Sequence, residues 1–146
     1  ADLFRADLSG LNGVAACFVC ADLHGADLGL ANLMGAKLDG ACFVGADLGG
    51  ANLAGASLQG ANLTEASLNG ANLFRANLEG ANLRQVQSIG ANYSEANLRS
   101  VDLSGADLYG ACLFGTDLTG AVADQVTRWP DGFDPEAAGV IFKASD

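Results

Sequence analysis

Hydrophobic and polar positions recur in this chain with a period of five. From Ala1 to Gly120 the sequence divides into 24 consecutive pentapeptides without insertion or deletion. The first position is Ala except at Leu11, Val86, Val101 and Thr116, and the second is mostly Asp, Asn or Ser. The third is Leu in 19 of 24 units, with Phe18, Phe43 and Tyr93 larger and Gly13 and Ser88 smaller. The fourth is open, and the fifth is Gly in 15 of 24. On an α-helix, residues five apart lie about 140° apart around the axis and make no face. On one continuous strand an odd period sends successive Leu to opposite sides. The period fits a short extended segment followed by a corner. Leu then points inward from mid-segment, Ala points inward near the corner, and the fifth residue supplies the positive φ of a type II turn. Such a chain is an all-β solenoid.

Units such as Ala51-Asn52-Leu53-Ala54-Gly55 and Ala61-Asn62-Leu63-Thr64-Glu65 resemble the pentapeptide-repeat family, over residues 1–120. The resemblance implies a right-handed, four-sided parallel β-helix with four pentapeptides per coil, here about six coils of 20 residues. The segment from Thr127 to Pro135 also resembles the tail that follows the repeats in cyanobacterial members.

Folded this way, residues 20 apart stack in columns about 4.8 Å apart, giving a rod of roughly 29 Å. Faces one to four begin at residues 1, 6, 11 and 16. The expected core includes Leu3, Leu8, Phe18, Leu23, Phe43, Leu53, Leu58, Leu78, Tyr93 and Leu118. Gly13 precedes Phe18, and Ser88 precedes Tyr93, so both are read as volume-compensating swaps within one layer. Phe43 has no small partner, and a local bulge or displaced neighbour is expected there. Residues 121–146 form a C-terminal capping segment. Trp129, Phe133, Val140, Ile141 and Phe142 are its expected covering residues, and the tail is expected to reach Phe114 and Tyr109. Asp134-Pro135-Glu136 predicts a helix start. The repeat begins in mid-pattern without an initiator Met, which points to missing upstream sequence and an uncapped first coil.

Composition follows from this plan. Half the residues are hydrophobic but only 7% aromatic, because Ala and Leu fill two positions in five. Seventeen acids against seven bases leave a charge of −10. That sign argues against direct nucleic-acid binding, which needs a basic surface. No apolar run of about 18 residues is present to span a membrane.

Chemistry is sparse. Cys17-x-x-Cys20 has ligand spacing, but Cys42 and Cys112 lie too far along the rod to complete a site, and the pair should diverge around inward Phe18. Four unpaired cysteines fit a reducing, cytoplasmic setting. Asp7, Asp27 and Asp47 form one column and Asp2 and Asp22 another. Stacked carboxylates can bind a cation, or each can cap its own corner as in Asx-turns. Asn serves the same positions without charge, in a face-three ladder from Asn12 to Asn92, and favours the corner reading. His24, between Phe4 and Val44, has no catalytic neighbour. No catalytic residue, metal site or cofactor is expected. Arg75 and Glu95, 20 apart, should make an ordinary surface pair.

The outward fourth positions of face three read Val14, Met34, Ala54, Phe74, Ser94 and Phe114, with Leu30 at the adjoining corner. An apolar outward stripe marks an interface. A non-enzymatic module that binds an unidentified protein through a rod face, or associates with itself through this stripe or the uncapped first coil, fits best. The family resemblance implies an alternative, an acidic DNA mimic acting on DNA gyrase or topoisomerase. The charge here, about one per 3 Å against one per 1.7 Å of duplex, is sparse for that role.

Overall fold

A computed structural model describes residues 1–144. Parallel rungs join each second-position residue to the one twenty further on, from Asp2↔Asp22 to Asn97↔Asp117, so one circuit takes four pentapeptides. Each rung is a single residue, because a corner follows before a second can pair. The only longer strands among the described residues are β1 (Val122–Ala123) and β2 (Ile141–Phe142).

The main-chain donors explain the pentapeptide. Around Leu58, the third-position N–H donates forward to Asn77 O at 2.7 Å, and the fifth, Gly60 N–H, to Glu79 O at 3.1 Å. The second-position Ser57 N–H donates back to Ala36 O at 2.9 Å, and Ala61 N–H closes the corner onto Leu58 O at 3.1 Å. One donor per unit, the fourth-position N–H, has no main-chain partner. Its satisfaction is left to side chains. Every fifth position from Arg5 to Gly120 has φ between +55° and +73°, nine of them without the help of glycine. Those nine corners accept a modest αL cost that the ladder on either side overrides.

Ala and Leu of the repeat fill the interior. Leu23, Phe43, Leu53, Leu58, Leu78, Tyr93 and Leu118 are buried to 1% exposure or less. Leu3, Leu8 and Phe18 are only half-buried, because the first circuit has a layer on one side alone. The two small third-position residues are compensated differently from each other. Ser88 and Tyr93 are both fully buried, and their hydroxyls lie 2.6 Å apart. Gly13, in contrast, is filled by Leu33 from the next layer and by Leu11. A Cβ there would meet their Cδ2 atoms at 2.9 and 3.5 Å. Leu11, standing where Ala is the rule, thus fills space at Gly13 together with Leu33. The expected bulge at Phe43 is absent. Its N–H still reaches Asn62 O at 2.7 Å, and Gly45 N–H reaches Thr64 O at 3.0 Å. The ring is fully buried while the ladder keeps its register.

The ladder does not stop at Gly120. Asp102 pairs with Val122, and Asp107 with Arg128 after one inserted residue. β1 then pairs in parallel with β2, Val122 with Ile141 and Ala123 with Phe142. Asp124 fixes the change of course. Its Oδ1 accepts the N–H groups of Gly105 (3.1 Å), Val126 (3.1 Å) and Thr127 (3.0 Å), while the Thr127 hydroxyl donates to Leu103 O at 2.9 Å. Trp129 and Phe133 stack with centroids 5.4 Å apart and pack on the core beside Ala138, and Val140 is buried.

Three expectations for the tail need correction. Ile141 and Phe142 cover little and are 58% and 40% exposed. Ile141 takes the outward register of Val122, and Phe142 ends its column. The tail crosses faces one, two and four and leaves Phe114 78% exposed. Tyr109 carries only the Arg128 guanidinium, 4.2 Å from its ring centroid. Asp134 does accept the Ala137 N–H at 3.2 Å, as an N-cap would, but no α-helix follows. Gly139 takes φ +90°, and Val140 N–H turns back onto Pro135 O at 3.1 Å, so the segment ends after one turn, too short to propagate. No helix among the described residues is long and apolar enough to cross a membrane.

Candidate interaction surface

The orphan fourth-position N–H accounts for the second-position side chains. Oδ1 of Asp22, Asp27, Asp47, Asn52 and Asn72 accepts the N–H two residues on at 2.8–3.1 Å. On face three Asn32, Asn52, Asn72 and Asn92 each bond their own corner, and no amide-to-amide bond joins the Asn column among the described residues. The Asp7 carboxyl is held below its ordinary value by the Ser9 hydroxyl at 2.8 Å and the Ser9 N–H at 3.1 Å.

Two of the seven second positions that lack Asp or Asn reveal a device that sequence reading missed. Ser57 and Gln87 stand where Asp or Asn is the rule. There the acceptor comes from the fourth position one circuit earlier. Asp39 Oδ1 accepts the Gln59 N–H at 2.8 Å and the Ser57 hydroxyl, and Asn69 Oδ1 accepts the Ile89 N–H at 2.9 Å. Asp39→Ala should therefore cost about 1 kcal/mol in a urea melt, while Asp39→Asn, which keeps the oxygen, should restore most of it. Equal loss in both variants would mean that charge, and not the acceptor, matters.

Reactive groups do not assemble. Cys17 and Cys20 are exposed and free, as is Cys112, and Cys42 is half-buried. The Cys112 thiol is lowered from its ordinary value by the Ser94 hydroxyl at 3.0 Å and the Phe114 N–H. His24 stands edge-on to Phe4 with centroids 5.4 Å apart. Among the described residues no three His, Cys, Asp or Glu lie close enough to share a metal ion. Arg75 Nε meets Glu95 Oε2 at 3.2 Å with both side chains well exposed, an arrangement worth little stability.

The apolar stripe on face three is divided. Val14, Leu30 and Met34 are 44%, 76% and 45% exposed. Val14 and Met34 stack in one column at the corner of faces three and four, and Leu30 stands at the opposite edge of face three, on the corner with face two. Ala54 and Phe74 are half-buried, and the Phe74 ring lies under the Arg75 guanidinium, 5.1 Å away. The N-terminal trio therefore presents the free apolar surface of this stripe, while Phe74 is partly shielded by its own neighbour. Leu30 lies along the rod against Gly50, where a Cβ would come within 2.7 Å of Leu30 Cδ2.

A family model for pentapeptide repeats matches residues 16–53, 51–86 and 89–120 with eight copies. The chain is 39% identical to Rfr23, a pentapeptide repeat protein of the cyanobacterium Cyanothece 51142, over 67% of this chain and 63% of that one, with a TM-score of 0.50. It is 34% identical to a pentapeptide repeat protein of Nostoc PCC 7120, over 84% of each chain, with a TM-score of 0.55. It is 39% identical to one from the thylakoid lumen of Arabidopsis thaliana, over 68% of this chain and 66% of that one, with a TM-score of 0.58. The chain thus spans just under two thirds of the Cyanothece and Arabidopsis proteins. No curated protein matches it by sequence. With its matched repeats covering more than half its length, the chain belongs to the pentapeptide repeat family.

Proposed function

We propose that this chain is a non-enzymatic interaction module, a right-handed four-sided rod of six circuits that presents one rigid surface to another protein. The observation that carries the reading is the exposed apolar set of Val14 and Met34, stacked in one column, with Leu30 at the other edge of the same face. Exposed apolar side chains grouped along one face of a fixed scaffold mark a contact surface. A cap within residues 121–144 closes much of one end, so the face is the more available surface.

The test compares the wild-type chain with Leu30→Glu/Met34→Glu by pull-down and analytical ultracentrifugation. Glu fits both sites, since Glu65 and Glu95 already occupy fifth positions, as Leu30 does, with φ of +60° and +57°, and Glu79 occupies a fourth position, as Met34 does. Loss of a stoichiometric partner, or of self-association, is the expected result. If neither changes, the trio is not the interface. A DNA-mimicking action on gyrase fits less well. The face-two acid row ends at Asp47 and resumes only at Asp107, where Arg128 stands 3.7 Å from the carboxylate. A supercoiling assay measures it directly, with no effect expected.

A further inference from the structure

The cap leaves one face of the rod's end open. In the last repeat circuit, residues 101–120, Leu103, Leu108 and Leu118 are buried to 1% exposure or less, but Leu113 on face three is only half-buried. The main chain shows the same gap. On faces one and two the ladder runs on into the tail, where Leu103 N–H reaches Val122 O at 2.7 Å and Leu108 N–H reaches Arg128 O at 2.8 Å. Val101 O and Ala106 O accept the returning N–H groups of Val122 and Arg128 at 2.8 and 2.9 Å. On face three the equivalent groups, Leu113 N–H, Gly115 N–H and Ala111 C=O, have no hydrogen-bond partner among the described residues. Cys112, Phe114 and Gly115 are exposed along this edge. The tail passes from Arg128 on face two to Gly139, whose C=O accepts Gly120 N–H at 3.2 Å at the corner of faces four and one, without pairing with the edge.

We infer that this edge takes up an extended segment of another protein, which supplies the missing seventh strand of face three. The inference is independent of the exposed set formed by Val14, Leu30 and Met34. The rung below defines what fits. There Tyr93 N–H reaches Cys112 O at 2.9 Å, Glu95 N–H reaches Phe114 O at 2.8 Å, and Cys112 N–H returns to Ala91 O at 2.9 Å. An added parallel strand therefore offers carbonyls to Leu113 and Gly115 and one N–H to Ala111. Its inward residue is apolar and covers Leu113, and the next lies beside Phe114. An unpaired strand edge is a template for such addition, with affinity from the main chain and specificity from alternate side chains. A whole second rod stacked end-on is kept off, because β1 and β2 rise above the last circuit on face one and Arg128 rises above it on face two. The segment is also basic. Residues 130–138, which cross the end beside the gap, hold Asp131, Asp134 and Glu136 and no Lys or Arg. None of these three acids is ion-paired among the described residues. Complementary charge speeds encounter and fixes register.

The probe is a fluorescein-labelled peptide with Ala-Asn-Leu-Val-Gly between two pairs of Lys, followed by anisotropy against the full chain. Saturable binding is expected, with slowed amide exchange at Leu113 and Gly115 and none at Leu58. Methylating the main-chain nitrogen of the peptide Asn, the donor to Ala111 O, should weaken binding about tenfold or more. Methylating that of the peptide Leu, which points away from the edge, should leave it near the parent. A peptide with Glu in place of Lys should bind about tenfold more weakly or worse. Phe114→Ser, a residue the same column already holds at Ser94, should weaken binding severalfold, and Leu30→Glu/Met34→Glu should not change it. Failure of either surface thus leaves the other standing. No binding by the wild-type chain, or equal loss with both methylated peptides, overturns strand addition. Binding that Phe114→Ser leaves unchanged, or that Leu30→Glu/Met34→Glu abolishes, overturns it too, since the peptide then lies elsewhere. Equal binding of the Glu peptide overturns the basic partner.

Discussion

A Leu58→Lys chain is expected to show no cooperative thermal transition. Leu58 is fully buried in the middle of the rod, between Leu38 and Leu78 in its column, and its N–H is held at 2.7 Å by Asn77 O. Nothing around it can neutralise an ammonium, and an unpaired buried charge together with lost Leu packing costs several kcal/mol. A single domain of this size is stable by only about 5–15 kcal/mol. In a solenoid the damage is not local. Each circuit is stabilised by its neighbours, so a ruined middle layer separates two halves that are each too short to stack well. The control sits one residue away. Gln59 is exposed, and only its backbone is used, the N–H by Asp39 Oδ1 and the C=O by the Gly40 N–H. Gln59→Lys should melt within about 0.5 kcal/mol of wild type. Circular dichroism melts of both variants decide the matter, and an unchanged Leu58→Lys melt would show that the third position does not face inward.

The contrast between these neighbours marks what the sequence could reveal. Which residues point inward is a one-dimensional property, carried by a period of five. It was legible at Leu58, Tyr93 and Leu118 because each unit repeats the same backbone. What a side chain reaches depends on the next layer, and this was read less well. The volume match of Ser88 with Tyr93 could be counted from residue sizes, but the 2.6 Å contact between their hydroxyls could not. At Gly13 the nearest filling side chains, Leu33 from the next layer and Leu11 from a first position, could not be counted from third-position sizes within one layer. Asp39 capping the circuit that holds Ser57 becomes visible only once residues 18 and 20 apart are compared.

The tail was the least legible part, for the same reason. Residues 121–144 have no period, so apolar type alone could not separate Trp129 and Phe133, which pack on the core, from Ile141 and Phe142, which remain exposed. Local signals misled there as well. Asp134-Pro135-Glu136 has the chemistry of a helix start, but Gly139 ends the segment before a second turn can form. On the candidate surface, the exposure of Val14, Leu30 and Met34 followed from their repeat positions. The shielding of Phe74 by Arg75 is a rotamer choice that the pattern does not encode.

The Ser88–Tyr93 pair should make stability fall between pH 10 and pH 12. Burial pushes the Tyr93 phenol from 10.0 up to about 12, although the Ser88 hydrogen bond works in the other direction. In the unfolded chain the phenol loses its proton near pH 10, while in the folded chain it keeps it until about 12. Raising the pH through that window therefore favours the unfolded state. The contribution is whole below pH 10 and is lost as the pH climbs to 12, by about 3 kcal/mol in total. Urea melts at pH 9, 10, 11 and 12 measure it. Other groups titrate in the same range, so the informative quantity is the difference from Tyr93→Phe, which has no phenol to ionise. That variant should begin about 1–2 kcal/mol less stable at pH 9, because the buried Ser88 hydroxyl loses its partner, and Ser88→Ala/Tyr93→Phe should recover most of the loss. Above pH 10 the wild-type chain should decline more steeply than either variant. Parallel curves for all three would mean that the phenol ionises without leaving the folded core.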